Sequence, residues 1–373
     1  MNRIDWNNRL IGIKGARGAG KTTLLLQYAK EFLPKDNQTL YVSLDDLYFT
    51  ENSLVDFAEQ FVLQGGKYLL LDEVHRYQNW SQELKNIYDD HPDLKVVFTG
   101  SSLIHLNQAK GDLSRRAVMY ELTGLSFREY LNFTQGIALD PIDFDTLINF
   151  HTDFALKISA RMRPLSHFQE YLEYGYYPYF KEAPNLYHQK LSETISLALS
   201  IDLPFSHDIS FSSVEKIRLL LHVISKSVPF KPNISKLSER IGINRNSLVQ
   251  FIRYLDDMRV INCLYVNTNT ISALQKPEKI YMHHPNLQYA LASENTNIGN
   301  VRESFFINQL GTLGPVNYAP EGDFIFKDYV FEIGGRRKTN KQVKHLKKSF
   351  VVADNIEVGH LHKIPLWVFG FMY

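Results

Sequence analysis

A glycine-rich segment of eight residues near the N-terminus constrains this chain more than any other feature. Its sequence, Gly15-Ala16-Arg17-Gly18-Ala19-Gly20-Lys21-Thr22, has the spacing G-x-x-x-x-G-K-[ST]. A short apolar strand, Leu10 to Ile13, precedes it, and the pattern of Thr23 to Ala29 indicates a helix. Glycines at this spacing let backbone N–H groups surround a polyphosphate, and a helix N-terminus adds the positive end of its dipole. The combination predicts a nucleotide-binding site.

The expected contacts follow from the chemistry of such a loop. Lys21 is expected to reach the β- and γ-phosphates, and the Thr22 hydroxyl is expected to ligate Mg²⁺. The other expected nucleotide contacts come from Gly15, Ala16, Arg17, Gly18, Ala19, Gly20 and Thr23. A glycine-rich turn without a ligand is the alternative interpretation, and the joint presence of strand, loop and helix argues against it.

A second apolar run ends in two adjacent carboxylates. Tyr68 to Leu71 leads directly into Asp72 and Glu73, as expected of a buried parallel strand whose carboxyl end meets a ligand. Asp72 is placed to hold Mg²⁺, directly or through water, and Glu73 to orient the attacking water. A strand that merely ends in acidic surface residues is the alternative. His75 follows closely and is interpreted as a loop residue.

The identity of the nucleotide and the reaction follow from the surrounding motifs. A GTPase should carry an Asn-Lys-x-Asp motif, but Asn340-Lys341-Gln342-Val343 lacks the acid. A small-molecule kinase needs no glutamate after the magnesium aspartate, whereas a hydrolase needs a group that positions water. The sequence therefore predicts ATP and Mg²⁺ as cofactors and hydrolysis of ATP to ADP and phosphate as the reaction.

A further strand with a polar end is predicted at Leu94 to Ser102. Its position in the order of strands places Thr99 or Ser101 where it could contact the γ-phosphate or the lytic water. The alternative is ordinary turn chemistry, because Thr, Gly and Ser are common at strand ends.

Length and composition limit the class of protein. At 373 residues, with 44% hydrophobic and 22% charged residues, the chain is expected to form two or three soluble globular domains. Its single cysteine, Cys263, excludes a disulfide framework. No run approaches the roughly 20 apolar residues of a membrane span, and Met1 to Asp5 lacks a signal-peptide core. A cytoplasmic location is therefore expected.

Charge is distributed unevenly along the chain. Residues 1–200 carry 20 Lys and Arg against 25 Asp and Glu, whereas residues 201–373 carry 21 against 15. The difference is −5 for the first part and +6 for the second. A polyanionic partner such as DNA is therefore more readily placed against the second part.

The first 125 residues alternate between strand and helix patterns. Strands are predicted near 10–14, 39–44, 67–72, 94–99 and 117–122, and helices after the glycine-rich loop, at 53–63 and at 79–89. Alternation with short connections predicts a doubly wound, parallel α/β sheet. The following residues, to about 200, are mainly helical and rich in tyrosine and phenylalanine, which predicts a helical lid with an aromatic core.

Residues 213–266 have a helix-turn-helix pattern. Ser235 to Ile241 predicts a short helix, Gly242 to Asn244 a turn and Arg245 to Met258 a longer helix, and the apolar strand that follows suggests a winged helix. The outward positions expected to contact DNA are Arg245, Asn246, Gln250 and Arg253. The alternative is a module that packs against its own chain, since fold alone does not fix function.

The last hundred residues predict a separate α/β unit. Arg302 to Leu310 has a helical pattern, and strands are predicted at Tyr318, at Asp323 to Phe326 and at Tyr329 to Ile333. A basic helix with an apolar stripe is expected at Lys341 to Ser349. Such a run of charge is usually a solvated face.

These motifs in this order resemble a bacterial and archaeal AAA+ ATPase family of the AAA_14 type. The resemblance covers essentially the whole chain, and its family-specific part is the block Leu125-Ser126-Phe127-Arg128-Glu129-Tyr130-Leu131. It implies an N-terminal ATPase domain and a C-terminal domain of unknown function with a restriction-endonuclease-like core. For Arg115 and Arg116 it implies contact with the γ-phosphate as an arginine finger, in cis or in trans. A surface pair that anchors a loop is the alternative.

The same resemblance implies a degenerate nuclease-like site at Glu303, Asp323 and Glu332. Working sites of this kind normally carry a lysine two residues after the second strand's acid, and here that position is Gly334. Without the lysine, the domain is expected to be inactive. Arg336 or Lys338 could substitute only if the loop folds back.

The motifs divide the chain more finely than its length alone suggests, into an AAA+ ATPase domain at 1–135, a helical lid at 136–205, a winged helix at 206–275 and an inactive restriction-endonuclease-like domain at 276–373. The predicted function is that of an ATP-hydrolysing switch or motor that acts on a macromolecule, with an ATP-dependent homo-oligomer as the expected assembly. Two alternatives stay open, namely a DNA-binding regulator with ATP as a structural ligand and an ATP-dependent nuclease.

Overall fold

The computed structural model describes residues 3–101, 113–207, 209–227, 229–266, 276–292 and 296–373. The chain divides into two compact units. The first contains Met1–Gly124 and Thr194–Val214, and the second contains Leu125–Glu193 and Glu215–Tyr373. The expected domain boundaries at 135, 205 and 275 stay predictions.

A five-stranded parallel sheet forms the centre of the first unit. Its strands are β1 (Leu10–Gly15), β2 (Thr39–Ser43), β3 (Tyr68–Asp72), β4 (Lys95–Ser101) and β5 (Val118–Glu121). The helices between them are α1 (Lys21–Phe32), α2 (Leu54–Leu63) and α3 (Trp80–Asp90). The strand order is β2-β3-β4-β1-β5, with every pair parallel. The predicted parallel α/β sheet is confirmed.

The three central strands bury both of their faces, which explains their continuous apolar sequences. Successive side chains of a strand point to opposite faces. Leu69 and Leu71 of β3 pack into one cluster together with Leu54 and Leu84, whereas Leu70 packs into the other. This arrangement leaves the carboxyl ends of β1, β3 and β4 along one edge of the sheet.

The rest of the chain is mainly helical before a second sheet. The helices are α4 (Phe127–Gln135), α5 (Phe144–Ser159), α6 (Pro164–Tyr174), α7 (Tyr187–Leu197), α8 (Leu203–His207), α9 (Phe211–Ser225), α10 (Ile234–Ile241), α11 (Arg245–Asp257), α12 (Pro285–Leu291) and α13 (Ile298–Gly311). A π-helical turn, Ala198–Asp202, joins α7 to α8. The strands are β6 (Ile261–Leu264), β7 (Lys279–Met282), β8 (Val316–Tyr318), β9 (Phe324–Phe326), β10 (Tyr329–Gly334), β11 (Ser349–Ala353) and β12 (Lys363–Pro365).

Helices α4 to α6 share a hydrophobic core with α13 and the C-terminal sheet, all within the second unit. Ser126 begins α4 with a capping box, because its side chain accepts a hydrogen bond from the backbone of Glu129 and the Glu129 side chain accepts one in return. In the core, the Phe127 ring packs edge to face against Phe168 and at a tilted angle against Tyr171. The aromatic residues that follow Ser126 are therefore packing residues, as the sequence indicated.

In the second unit, helices α10 and α11 and strands β8 to β10 lie where the sequence predicts them. Gly242, which has a left-handed φ of 70°, caps the end of α10, and Asn244 caps the start of α11. Strands β6 and β7 then pair antiparallel. The C-terminal sheet has the order β12-β11-β10-β9-β8, with β10, β11 and β12 parallel and β8, β9 and β10 antiparallel.

The basic helix expected at Lys341 to Ser349 is wrong. This stretch consists of turns that lead into β11 at Ser349. Lysines that recur three and four residues apart would repel one another along a helix. The Ser349 hydroxyl instead donates hydrogen bonds to the carbonyl oxygens of Val343 and Leu346, at 2.9 and 3.1 Å, which stabilises a compact turn.

Candidate nucleotide-binding site

The glycine-rich loop joins the end of β1 to the start of α1. Gly18 and Gly20 have φ angles of 83° and 95°, a region that side chains other than glycine rarely adopt. A Cβ atom added to Gly15 would lie 2.3 Å from the carbonyl oxygen of Leu122. Three of the glycines are thus needed for the path of the backbone, which ends with the N-terminus of α1 at Lys21.

Lys21 lies on the inner side of this loop. Its ammonium donates hydrogen bonds to the carbonyl oxygens of Gly15 and Ala16 at 3.1 and 3.2 Å, and the residue is 6% exposed. Burial lowers the pKa of Lys21, while the charges of Glu73 and Asp72 act in the opposite direction. The side chain therefore presents a positive charge in a poorly solvated position, which favours an anionic ligand.

Asp72 connects the loop to the neighbouring strands. Its Oδ2 accepts hydrogen bonds from the Thr22 hydroxyl at 2.6 Å and from the Tyr41 hydroxyl at 3.0 Å. Its Oδ1 accepts a very short hydrogen bond from the Thr99 hydroxyl. Burial and the Asp72 charge raise the pKa of Tyr41, so this phenol stays a proton donor. Asp72 and Thr22 thus present adjacent oxygen atoms, the donor type that Mg²⁺ prefers.

Glu73 turns away from the end of β3 with a left-handed backbone, at a φ of 54°. Its backbone N–H donates to Asp72 Oδ1 at 3.1 Å and to the Thr99 hydroxyl oxygen at 3.2 Å. A positive φ in a residue other than glycine costs energy and is common where function requires a fixed geometry. The turn leaves the Glu73 side chain 26% exposed, so the carboxylate can reach a water molecule.

Two residues near this carboxylate were not assigned from the sequence. His75 is 4% exposed, and Asp202 lies 3% exposed in the Ala198–Asp202 turn. Asp202 accepts hydrogen bonds from Arg17 of the glycine-rich loop at 3.2 and 3.3 Å. The signal that could have found His75 is its place two residues after Glu73. The sequence held none for Asp202, which lies far along the chain.

The two arginines of the expected arginine finger differ in their surroundings. Arg116 forms a bidentate ion pair with Asp89, at 2.8 and 2.9 Å, which lowers the pKa of Asp89. Arg115 is exposed. The structure does not bring either of them into the hydrogen-bond network of Asp72. Ser102, at the end of the predicted polar strand, lies outside the described residues.

The expected DNA-contacting residues lie on α11. Arg245, Asn246 and Gln250 are exposed, and Arg253 is half-buried. The opposite side of this helix is buried through Leu248, Phe251, Ile252 and Leu255. The amphipathic pattern seen in the sequence therefore places these four polar residues away from the core.

The expected nuclease-like carboxylates all lie in the second unit, and each has a protein partner. Glu303 accepts a hydrogen bond of 2.5 Å from the Tyr281 hydroxyl, and Asp323 accepts one of 2.8 Å from the Ile333 N–H. Glu332 is paired with the ammonium of Lys338. Burial and the charge of Asp323 raise the pKa of Glu303, and burial raises that of Glu332.

Lys338 fills the space left by the missing lysine side chain. A Cβ atom added to Gly334 would lie 2.6 to 2.7 Å from its side-chain carbons. The loop thus folds back through Lys338, while Arg336 is exposed. In the part of the chain that the structure describes, no group of three or more His, Cys, Asp or Glu side chains is placed to hold a metal ion.

Two protein-family models match this chain. Residues 7–131 match a model described as an AAA domain. Residues 165–297 match a model described as a domain of unknown function, DUF8612. A curated relative, the uncharacterized protein MJ1637 of Methanocaldococcus jannaschii, is 25% identical over 398 aligned positions, which cover 95% of this chain and 83% of that protein.

Two solved structures are similar at a low level. The Aeropyrum pernix ORC1 protein in complex with DNA has a TM-score of 0.33 and 12% identity, and the match covers 77% of this chain and 87% of that one. The S. cerevisiae Hsp104–ADP complex has a TM-score of 0.29 and 17% identity, with 68% and 37% covered. Neither similarity indicates what this chain binds.

No helix among the described residues is both long enough and apolar enough to span a membrane. The AAA-domain match spans the parallel sheet, the glycine-rich loop and the Asp72–Glu73 pair. Residues 7–131 are therefore similar to an AAA domain, and they contain the glycine-rich loop and the acidic strand end described above.

Proposed function

We propose that this protein binds ATP with Mg²⁺ and hydrolyses it, and that it uses the cycle as a switch or motor on a macromolecule. The observation that carries the proposal is the hydrogen bond of 2.6 Å between Thr22 and Asp72, with Glu73 adjacent to Asp72. It joins the end of the glycine-rich loop to the acidic end of β3. These are the parts that phosphoryl transfer to water requires.

Thr22 and Asp72 fit Mg²⁺, because a hydroxyl and a carboxylate oxygen lie side by side next to the loop. When bound there, magnesium would neutralise charge on the β- and γ-phosphate oxygens. The Tyr41 hydroxyl orients Asp72 from a second side. Thr99 donates its only hydroxyl proton to Asp72, which supports a role in holding Asp72 and Glu73 rather than in donating to a phosphate.

Lys21 is assigned to phosphate binding and Glu73 to the positioning of water. Lys21 is the buried cation of the loop and binds the β- and γ-phosphates once its bonds to the loop carbonyls are exchanged. Glu73 orients a water molecule and accepts its proton, since its carboxylate is partly exposed beside the buried network. An in-line displacement would place the attacking water and the departing β-phosphate oxygen on opposite sides of the γ-phosphorus, with Glu73 beside the water.

An arginine finger would complete the charge stabilisation. Arg115 is the better candidate because it is exposed, whereas Arg116 is held by Asp89. An exposed arginine can reach the γ-phosphate of a neighbouring copy, which supports an ATP-dependent homo-oligomer as the active form. The macromolecular client is proposed to be DNA, on the basis of the exposed Arg245, Asn246 and Gln250 of α11.

The C-terminal domain is proposed to be a scaffold of restriction-endonuclease-like topology without nuclease activity. Its carboxylates already have protein partners in Lys338, Tyr281 and the Ile333 N–H. A buried carboxylate that is already paired with lysine is poorly placed to bind a second cation.

Titration calorimetry and phosphate release test the proposal together. Lys21→Ala is expected to weaken ATP binding by about a hundredfold or more and to abolish turnover, because it removes the cation aimed at the phosphates. Lys30→Ala removes an exposed lysine of the same helix and serves as the matched control. Unchanged binding and turnover in Lys21→Ala would contradict the assignment. Binding without turnover in the wild type would favour the regulator alternative.

A further inference from the structure

His75 is buried beside the carboxylate that is proposed to position water. The Ser101 N–H donates a hydrogen bond to His75 Nδ1 at 3.2 Å. A neutral imidazole that accepts at Nδ1 carries its proton on Nε2. The Nε2 atom can therefore act only as a donor, which excludes it as a general base.

The Nε2–H group lies between two carboxylates. It is 3.4 Å from Glu73 Oε2 and 3.7 Å from Asp202 Oδ1. It forms no hydrogen bond of ordinary geometry in the described structure, although the side chain is 4% exposed. A buried donor without a partner is rare. Its position between Glu73 and Asp202 indicates that small movements of either carboxylate decide which one it binds.

Asp202 is the centre of a buried ion cluster. Besides His75, it contacts Arg17 Nη1 at 3.2 Å and Arg76 Nη2 at 3.0 Å, and its side chain is 4% exposed. Burial opposes ionisation of this carboxyl, yet His75, Arg17 and Arg76 hold its pKa below the ordinary value. An ionised Asp202 therefore joins the glycine-rich loop to the turn after Glu73.

Asp202 comes from a part of the chain that is distant in sequence from the other residues of this cluster. Asp202 belongs to Thr194–Val214, which joins the first unit although residues 125–193, before it, belong to the second. The carboxylate that pairs with both Arg17 and Arg76 is thus supplied by this returning segment. Any displacement of the segment changes the partners of Arg17, His75 and Arg76 at the same time.

We propose that His75 is a positioning residue for Glu73, and that Asp202 sets how firmly it acts by competing with Glu73 for the same Nε2–H group. This inference rests on the proposed ATPase function. When the Nε2–H is donated to Glu73, it fixes the carboxylate toward the attacking water. When it is donated to Asp202, Glu73 is released. The returning segment Thr194–Val214 thereby controls hydrolysis through one hydrogen bond.

A pair of substitutions at His75 tests the positioning role. The amide nitrogen of His75→Gln reaches about as far as Nε2, whereas that of His75→Asn reaches only about as far as Nδ1. We expect His75→Asn to lower kcat by about tenfold or more, with the Kd for ATP·Mg²⁺ changed less than about threefold, and His75→Gln to recover most of the loss. His91→Asn, at the end of α3, is the control for a histidine change elsewhere in the unit.

A double-mutant cycle tests the part assigned to Asp202. Asp202→Asn is expected to raise kcat in the wild-type background, because it weakens the competitor for the Nε2–H group, and this gain is expected to be absent in His75→Asn. Asp56→Asn, an exposed aspartate of α2, is the control. Additive effects on kcat would contradict the competition. Melting temperature and ADP affinity of each variant show whether it is folded.

The tautomer gives a readout that does not depend on turnover. Nitrogen-15 NMR of the imidazole is expected to show the proton of His75 on Nε2, with the signal shifted in Asp202→Asn. A proton on Nδ1, or wild-type kcat in His75→Asn, would overturn the inference while leaving the ATPase assignment intact. A wild type without ATP turnover would contradict the proposed function itself, and the inference with it.

Discussion

Thr22 and Asp72 lie 50 residues apart in the sequence and are joined by a hydrogen bond of 2.6 Å between Thr22 Oγ1 and Asp72 Oδ2. The bond exists because β1 and β3 end at the same edge of a parallel sheet. Thr22 belongs to the first turn of the helix that follows β1, and Asp72 is the last residue of β3. One hydroxyl and one carboxylate are therefore held together in a position suited to a divalent cation.

Removing the Thr22 hydroxyl should weaken ATP binding mainly when Mg²⁺ is present. Thr22→Val keeps the shape of the side chain, and we expect it to weaken ATP binding in Mg²⁺ by about tenfold, with little change in EDTA. Calorimetry with and without the metal measures both values. Thr50→Val, at the end of a short helix in the same unit, is the control. Equal losses with and without Mg²⁺ would show that Thr22 does not act through the metal.

DNA binding through α11 should depend on its basic residues. Replacing Arg245 and Arg253 together by Ala should weaken binding and reduce the slope of log K against log salt by about 1 to 2 units, because each phosphate contact contributes about 0.9. Fluorescence anisotropy with a labelled duplex measures both effects. The double variant Lys157→Ala and Arg161→Ala changes the charge equally on exposed positions around the end of α5. Absence of wild-type affinity at low salt would make α11 an internal or protein-facing element.

The C-terminal domain should not cut nucleic acid. Plasmid nicking with Mg²⁺ or Mn²⁺ is expected to stay at background in the wild type and in Glu332→Ala, since a displacement also needs an oriented nucleophile and a stabilised leaving oxygen. Wild-type cleavage that disappears in Glu332→Ala would show an active site. Its loss in Lys338→Ala, but not in Arg336→Ala, would then give Lys338 the role of the missing lysine.

Asp256 should make the stability of the protein depend on pH. Burial raises its pKa to about 7, while Arg259 and the Cys263 N–H act in the opposite direction. Between about pH 4 and pH 7 the folded chain holds a proton that the unfolded chain has lost, so this group lowers stability as the pH rises through that range.

The variant Asp256→Asn imitates the protonated carboxyl and keeps an oxygen that can accept from Cys263, 3.3 Å away in the wild type. We expect it to raise the free energy of unfolding by about 2 kcal/mol near pH 8, and by close to zero near pH 4. Thermal melts at both pH values measure this, with the exposed Asp140→Asn as the control. A gain of the same size at both pH values would contradict the raised pKa.

Local patterns were sufficient to predict the first sheet. The strand ending at Asp72 is a short apolar run that leads into two adjacent acids. The loop before Lys21 has glycines at the spacing G-x-x-x-x-G-K-[ST], which is typical of phosphate-binding loops. In both cases the residues that define the feature are neighbours in sequence. Sequence reasoning therefore selected Thr22, Asp72 and Glu73 as candidates without any knowledge of which strands pair.

Features that depend on distant residues could not be predicted in this way. Asp202 reaches Arg17 across 185 residues, and no local pattern marks it. The helix expected at Lys341 to Ser349 failed for the opposite reason, because its apolar spacing is also satisfied by a turn that buries Val343 before β11. The position of Lys338 against Gly334 also depends on how the loop folds, so the sequence alone could not predict it.

A single-turnover experiment with γ-labelled ATP and excess protein, comparing the wild type with Glu73→Gln, tests the central claim most directly. The account predicts that the wild type converts bound ATP to ADP and phosphate. Glu73→Gln is predicted to bind ATP as tightly as the wild type and to hydrolyse it at least about a hundredfold more slowly. Glu59→Gln, on the exposed side of α2, should behave as the wild type. Conversion at the wild-type rate in Glu73→Gln would contradict the role of this carboxylate in hydrolysis.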